Sequence, residues 1–197
     1  MAYLCVRWTP SSILGARCDE DVRSRLSMTT ERLGKLRPLW RRQEISSGLK
    51  ARLIQALIWP VLTYRSEAWT TNQELRGNIE AFEMHCYRKA MRIRYTEHVT
   101  NEAVFKMVGQ QRKLLGRVKA RKLAYFGHIV RHAVLEHDIM LGPVPGTRRQ
   151  GGQRRQWLDD LTQWTGMRLP ELVRTAEDRD QYRRLIHSAS YAPNGVR

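Results

Sequence analysis

Acidic residues are scarce in this sequence, with 19 Asp and Glu against 35 Lys and Arg, so the net charge at neutral pH is +16. A chain with so few carboxylates repels itself unless a polyanion or counterions neutralise it. Nucleic acid is the commonest polyanion with which such a chain associates. We therefore expect the partner to be RNA or DNA phosphate backbone, contacted with low sequence specificity.

Cysteine is also rare, and the three cysteines, Cys5, Cys18 and Cys86, are odd in number and widely spaced. This pattern fits free thiols in a reducing compartment better than a disulfide framework. No apolar run is long enough to span a membrane, because the longest, residues 53–64, is short and interrupted by Gln55. We expect a cytoplasmic or nuclear protein without a membrane partner.

Complete catalytic motifs are missing as well, since no phosphate-binding glycine loop and no set of nucleophile, base and acid is recognisable. Asp159 and Asp160 superficially resemble the metal-binding aspartates of polymerases, but the helical spacing of the apolar residues around them favours a helix N-terminus. His128 and His132 are four residues apart, as zinc ligands can be, yet no third ligand follows. We predict no catalytic residue, no metal and no cofactor.

Two-residue alternation is confined to the first fifteen residues, whereas helical spacing of apolar residues recurs along the chain. The predicted fold class is mainly α, with any short strands near the N-terminus. The predicted N-caps are Asp19, Ser46 or Ser47, Asn72 or Thr71, and Thr100. The predicted helices cover about residues 19–42, 46–59, 72–93, 100–108, 111–132, 157–164 and 176–188, with Pro60 kinking or stopping the second and Gly109 closing the fourth.

Positive charge is concentrated in residues 111–155, which hold 11 basic and two acidic residues. On a helical wheel of residues 112–132, apolar side chains occupy one half and most basic ones the other, which predicts a packed face backed by a cationic stripe. Lys122 falls within the apolar half, so it must extend to solvent or meet a partner.

Residues 137–155 are predicted to be a loop, because prolines and glycines interrupt any regular element there. Its arginines form an arm that can follow a phosphate backbone. The alternative for both helix and loop is a merely solvated charged surface. The predicted nucleic-acid-binding residues are Lys113, Arg117, Lys119, Arg121, Arg131, Arg148, Arg149, Arg154 and Arg155.

Several short blocks along the chain carry a family resemblance. In order they are RCDEDVR (17–23), KLRPLW (35–40), YRSEAW (64–69), FEM (82–84), YFGH (125–128), GTRR (146–149) with Gly151, WLDD (157–160), and DRD (178–180) with Tyr182 and Arg183. Over about residues 3–188 the chain resembles the region that follows the polymerase core of LINE-type (non-LTR) retrotransposon reverse transcriptases. It departs from that family at Arg65, where glycine is usual, and at Cys5.

The resemblance implies a polymerase thumb and C-terminal extension, with the catalytic aspartates and the endonuclease encoded upstream. In that family the thumb grips the template-primer duplex. The implied segments are a poorly ordered remnant of the palm (1–18), a thumb-like helical bundle (19–109), a basic amphipathic helix (110–136), a Gly/Pro/Arg loop (137–155) and C-terminal helices (156–197).

Three functions follow from these patterns. The favoured one is a non-catalytic nucleic-acid-binding fragment of an RNA-directed DNA polymerase. The second is a decayed orphan reading frame with no selected role, which the departures at Arg65 and Cys5 favour. The least favoured is a piece of an active reverse transcriptase, because the palm aspartates that hold its metal ions are missing.

Overall fold

The structure, a computed structural model, describes residues 14–132, 137, 140–141 and 156–191. Every regular element within these residues is helical, which confirms the predicted mainly α class. No helix in these ranges is both long enough and apolar enough to cross a bilayer. The strands expected near the N-terminus lie outside the described residues.

Within residues 14–131 and within residues 157–191, the helices follow one another with short connections. In chain order they are α1 (Leu14–Lys35), α2 (Arg37–Arg41), α3 (Ser47–Leu53), α4 (Trp59–Leu62), α5 (Gln73–Met91), α6 (Asn101–Val108), α7 (Leu114–Arg131), α8 (Trp157–Thr165), α9 (Leu169–Glu177) and α10 (Arg179–Tyr191). A π-helical turn, Ile54–Ile58, joins α3 to α4, and short 3-10 helices cover Ser66–Ala68 and Tyr95–Glu97.

Three helices begin at the N-caps that the sequence predicts. The side chains of Ser46, Asn72 and Thr100 each accept a hydrogen bond from the backbone N–H three residues later, at 3.3, 2.7 and 3.3 Å. These bonds satisfy N–H groups that the first turn of a helix leaves without a partner. Gly109 ends α6 with φ of +64°, a left-handed conformation that favours glycine.

The predicted helix over residues 19–42 was wrong at its start and in its continuity. Helix α1 begins at Leu14, so Asp19 lies inside it and is not its N-cap. The helix ends at Lys35, and a second short helix follows because Pro38 stands in the first turn of α2, where its missing N–H is tolerated.

Pro60 does not stop its helix. The chain remains helical to Leu62, with the π-helical turn Ile54–Ile58 directly ahead of the proline. A proline ring clashes with the carbonyl group four residues earlier, and a widened turn at that position accommodates it. Ile58 and Trp59 are both buried, so the apolar face continues through the π-helical turn.

The C-terminal segment contains a helix that the spacing did not predict, α9. Pro170 in its first turn and the buried Leu172 and Ala176, four residues apart, are the signals that could have revealed it. The predicted loop was wrong at His137 and at residues 140–141, which are helical. The helix-breaking residues on which that prediction rested begin only after position 141.

Among the residues that the structure describes, buried apolar side chains form two cores that meet along α7. The first core contains Trp40, Trp59 and Tyr87 and is built by α1 to α6 with the start of α7. The second is built by the rest of α7 with α8, α9 and α10. Val118 belongs to the first core and Leu123 to the second, so one helix serves both.

Candidate nucleic-acid interface

The N-terminus of α7 is anchored by a carboxylate from α5. Glu83, 1% exposed, accepts hydrogen bonds from the N–H groups of Lys113 and Leu114 at 3.0 and 3.3 Å. Helix α7 has no cap from its own side chains, so Glu83 provides one from a distant part of the chain. Burial raises the pKa of Glu83 to about 7, although the two backbone bonds act in the opposite direction.

Three of the predicted basic residues, Lys113, Arg117 and Arg121, follow at intervals of four and therefore lie along one side of α7. This side runs beside α4 and Thr63, which follows it. The Arg117 guanidinium lies 4.7 Å from the centre of the Trp59 ring, and Arg121 Nη1 donates to Thr63 Oγ1 at 3.0 Å. Both guanidinium groups are held in place while their side chains stay in contact with solvent.

The other two described basic residues of the prediction lie elsewhere. Lys119 Nζ is 5.8 Å from the Trp164 ring, and burial lowers its pKa, helped by the charge of Arg76. Arg131 Nη1 donates to the carbonyl oxygen of Ala176 at 2.7 Å and so ties the end of α7 to α9. The structure therefore does not bring all five into one stripe. The remaining predicted residues, Arg148, Arg149, Arg154 and Arg155, lie outside the described residues.

Lys122, the basic residue in the apolar half of α7, is fully buried. Of the two predicted alternatives, it therefore meets a partner and does not extend to solvent. Its Nζ atom donates to Asp160 Oδ2 at 2.6 Å and to the carbonyl oxygen of Trp69 at 2.8 Å. The rings of Trp157 and Trp164 lie 4.6 and 5.4 Å from the ammonium group. Cation–π attraction adds to the ion pair in this enclosed position.

Asp160 gathers several donors on a carboxylate that is itself fully buried. The backbone N–H and the hydroxyl of Thr71 donate to Oδ2 at 2.8 and 3.0 Å, and Arg76 Nη2 lies 3.4 Å from Oδ1. The cluster joins α7, α8 and the start of α5. Because Lys122 and Asp160 are closed to solvent, this centre stabilises the fold and offers no surface to a substrate.

The two neighbouring aspartates thus have different roles. Asp159 Oδ2 accepts a hydrogen bond from the N–H of Gln156 at 2.6 Å, so the predicted role at a helix N-terminus is confirmed for Asp159. For Asp160 the sequence missed the buried ion pair, although a lysine on an apolar helix face was a usable signal. Within the described part of the chain, no three His, Cys, Asp or Glu side chains converge as metal ligands.

A second basic surface, which the sequence did not single out, lies between α5 and α6. Residues 88–98 contain four Lys or Arg and one acidic residue. Next to them is a cleft of about 460 Å³ with Tyr95 at its edge. The signal of this shorter segment in the sequence is an aromatic residue, Tyr95, among closely spaced cations.

Comparison with known proteins relates the chain to mobile elements. It is 31% identical over 119 residues to an uncharacterized transposon-derived protein of Caenorhabditis elegans, a match that covers 57% of this chain and 43% of that protein. The chain therefore matches less than half the length of this curated relative. No family model and no solved structure matches it. The similarity supports a transposon origin.

Proposed function

We propose that this chain is a non-catalytic nucleic-acid-binding segment derived from the RNA-directed DNA polymerase of a LINE-type retrotransposon. It contacts the backbone of a template-primer duplex or of RNA, with low sequence specificity, in the cytoplasm or nucleus. The observation that carries the proposal is the basic row Lys113, Arg117 and Arg121 on a chain of net charge +16. The transposon-derived relative and the ordered blocks support the proposed origin.

The blocks that carry the family resemblance also contact one another. Trp69 of YRSEAW donates its indole N–H to Asp21 Oδ2 of RCDEDVR at 2.8 Å. Trp157 of WLDD donates to the carbonyl oxygen of Glu67, again in YRSEAW, at 2.8 Å. These contacts agree with the blocks belonging to one structural unit, as the resemblance to a single region of the polymerase implies.

The fixed arginines are suited to phosphate binding. A guanidinium group carries five N–H donors in one plane, and that of Arg117 is positioned by its contact with the Trp59 ring, whose centre lies 4.7 Å away. A side chain already held in place loses less entropy when it binds. From Lys113 to Arg121 the row extends roughly 12 Å along the helix, at about 1.5 Å per residue.

Salt dependence of binding tests this proposal. The intact chain is titrated against a fluorescein-labelled 16-base-pair RNA–DNA hybrid at several salt concentrations, followed by anisotropy. Each phosphate contact contributes about 0.9 to the slope of log K against log salt, so Arg117→Gln/Arg121→Gln is expected to weaken binding and to reduce the slope by about two. The matched control, Arg183→Gln/Arg184→Gln, removes the same charge from exposed arginines of α10 and should change the slope less.

If the two double variants weaken binding equally, affinity depends on net charge alone, and a localised interface on α7 is refuted. Affinity of the wild-type chain that does not change with salt would refute the proposal itself. Arg148→Gln/Arg149→Gln extends the test to the proposed arm, and is expected to lower the slope by a similar amount. Far-UV circular dichroism checks that each variant stays folded.

A decayed reading frame without a selected role is the second candidate, and one observation favours it. Arg65 has φ of +58° and ψ of 20°, a left-handed conformation in which glycine, the usual residue of the resembled family, is least strained. A suboptimal residue at such a position is expected where selection has relaxed. Ribosome profiling and peptide mass spectrometry of the source cells separate the candidates, because a decayed frame should give neither footprints nor peptide.

A further inference from the structure

The connection between α5 and α6 has a constrained backbone. Arg92 ends α5 with φ of +60°, and His98 has φ of +47°, so two non-glycine residues adopt left-handed conformations on either side of the 3-10 helix Tyr95–Glu97. Such conformations cost on the order of 1 kcal/mol or more each and persist only where surrounding contacts impose them. Arg92 and His98 each end a helix in this way, and together they define the path of the chain between α5 and α6.

Contacts from α5 hold the loop in place. Arg88 Nη2 donates to the carbonyl oxygen of Val99 at 2.6 Å and to Asn101 Oδ1 at 2.9 Å. The N–H of Ile93 donates back to the carbonyl oxygen of Arg88 at 3.0 Å. One arginine therefore links the end of α5 to the start of α6, and the loop forms a fixed wall.

A cleft of about 460 Å³ lies between this wall and the last turns of α5. Its volume falls within the range of about 300–1,000 Å³ that is typical of small-ligand sites. Ile93 and Val99 contribute apolar surface, whereas the remaining lining residues are polar or charged. The latter are His85, Arg88, Lys89, Tyr95 and His98.

Tyr95 stands at the edge of the cleft with 91% of its surface exposed. The His98 ring lies beside it, with 6.0 Å between the ring centres. Lys89, Arg92 and Arg94 are exposed around the same loop. An aromatic ring on a fixed loop, surrounded by cations, is the combination found in sites that bind single-stranded nucleic acid, where bases stack on rings and phosphates meet the charges.

The positive charge of residues 88–98 favours an anionic ligand. The one carboxylate within residues 88–98 is that of Glu97, and its Oε1 atom already accepts the N–H of Arg94 at 3.2 Å. A base within a duplex is stacked between its neighbours, so it cannot place its face on a side chain at the protein surface. An unpaired base at a strand end or in a single strand can do so.

We propose that this cleft binds one unpaired nucleotide of a nucleic-acid strand, with its base stacked on Tyr95 and the adjoining phosphates near Lys89, Arg92 and Arg94. The inference rests on the proposed function and adds to it a site for single strands separate from the α7 row. Stacking is tolerant of base identity, so the site is expected to show little sequence preference.

The test compares single strands with a duplex. Anisotropy titrations of the intact chain use labelled dT12, its RNA equivalent U12, and a 16-base-pair blunt duplex at several salt concentrations, and the variants are compared at the same salt. Loss of a stacked base at an aromatic platform is expected to weaken single-strand binding roughly five- to one-hundred-fold in Tyr95→Ala, while Tyr95→Trp retains it. The slope against salt should be unchanged, because no charge is removed. Tyr64→Ala, at another exposed tyrosine, is the matched control and should bind like wild type.

The outcomes separate the two proposals. If wild type binds both probe types with a steep salt dependence but Tyr95→Ala loses less than twofold toward single strands, the nucleotide site is refuted and the proposed function stands. Equal losses toward duplex and single strand also refute it, because Tyr95 would then contact backbone. If wild type binds no probe, both proposals fail. Displacement of U12 by an oligoglutamate peptide through a Tyr95-dependent contact would assign the cleft to an acidic protein segment instead.

Discussion

Lys122 and Asp160 are 38 positions apart in the sequence, yet their side chains meet at 2.6 Å in the middle of the fold, and neither is exposed to solvent. Removing two charges from water is costly, and this cost is recovered only when the remaining donors and acceptors are also satisfied. Thr71, Arg76 and the carbonyl group of Trp69 satisfy them here. The pair therefore specifies how α7, α8 and the start of α5 fit together.

Breaking this pair from one side should be strongly destabilising. Lys122→Met leaves a buried carboxylate without its main counter-charge, and we expect the free energy of unfolding to fall by about 3–5 kcal/mol. Lys122→Met/Asp160→Leu removes both charges and should recover a large part of that loss. Urea denaturation followed by tryptophan fluorescence measures both. Lys113→Met, at a half-exposed lysine next to the start of α7, is the control. An equal loss of unfolding free energy in this variant would contradict a special role for the buried pair.

The close approach of α10 to α7 depends on a glycine. A Cβ atom at Gly127 would clash with Cε1 of Tyr182, whose hydroxyl donates a hydrogen bond to the carbonyl oxygen of Leu123 at 2.8 Å. We expect Gly127→Ala to destabilise the protein by about 1–3 kcal/mol through overpacking. Gly77→Ala, in α5 with no atom within 4 Å of the new methyl group, should instead stabilise it by about 0.5–1 kcal/mol. Thermal unfolding of the two variants distinguishes the effects by sign.

Glu83 should make stability fall as pH rises from about 4.5 to about 7. Burial raises its folded-state pKa from 4.5 to about 7, so the folded protein binds more protons than the unfolded chain across this window. The accumulated loss is on the order of 3 kcal/mol, from about 1.36 kcal/mol per pKa unit. Glu83→Gln keeps an oxygen for the N–H groups of Lys113 and Leu114 and should flatten this dependence.

Urea midpoints at several pH values between 4.5 and 8 measure the Glu83 effect. Glu31→Gln, at an exposed glutamate of α1, serves as the control and should leave the slope in place. The same pH dependence in Glu83→Gln and wild type would mean that Glu83 is ionised throughout the window.

Arg65 offers a stabilising change. Its left-handed conformation is strained for any residue with a Cβ atom, so Arg65→Gly should raise stability by up to about 1 kcal/mol, partly offset by the greater freedom of glycine in the unfolded chain. Arg65→Ala keeps the Cβ atom and should give no such gain. Chemical denaturation of both variants measures the difference, and a loss of stability with glycine would mean that the arginine side chain makes a compensating contact.

Local features of the fold were predictable from the sequence. Ser46, Asn72 and Thr100 were recognisable as N-caps because capping involves residues only three positions apart. The break after α1 was harder to predict, since a proline in the first turn of a new helix and a proline within a continuing helical stretch look alike in sequence. Pro38 and Pro60 show the two outcomes.

Long-range features of the candidate site were not predictable in the same way. The helical wheel identified Lys122 as anomalous, but its partner lies on another helix, and nothing in local spacing points to Asp160. The same limit applies to Arg117, whose position over Trp59 depends on how α7 lies beside α4. The wheel assigned charged side chains to a solvent-facing stripe, whereas tertiary packing placed several against other helices.

Because α7 contributes to both cores, folding of the first core depends on residues encoded after α7. A premature stop codon between positions 132 and 156 would remove α8 and with it the carboxylate that neutralises Lys122. The shortened product would keep an ammonium group on an apolar face built to be covered, so its first core would be destabilised as well. A coding sequence for this fold therefore tolerates truncation from its 3′ end poorly, and nonsense alleles in that interval should yield little soluble protein.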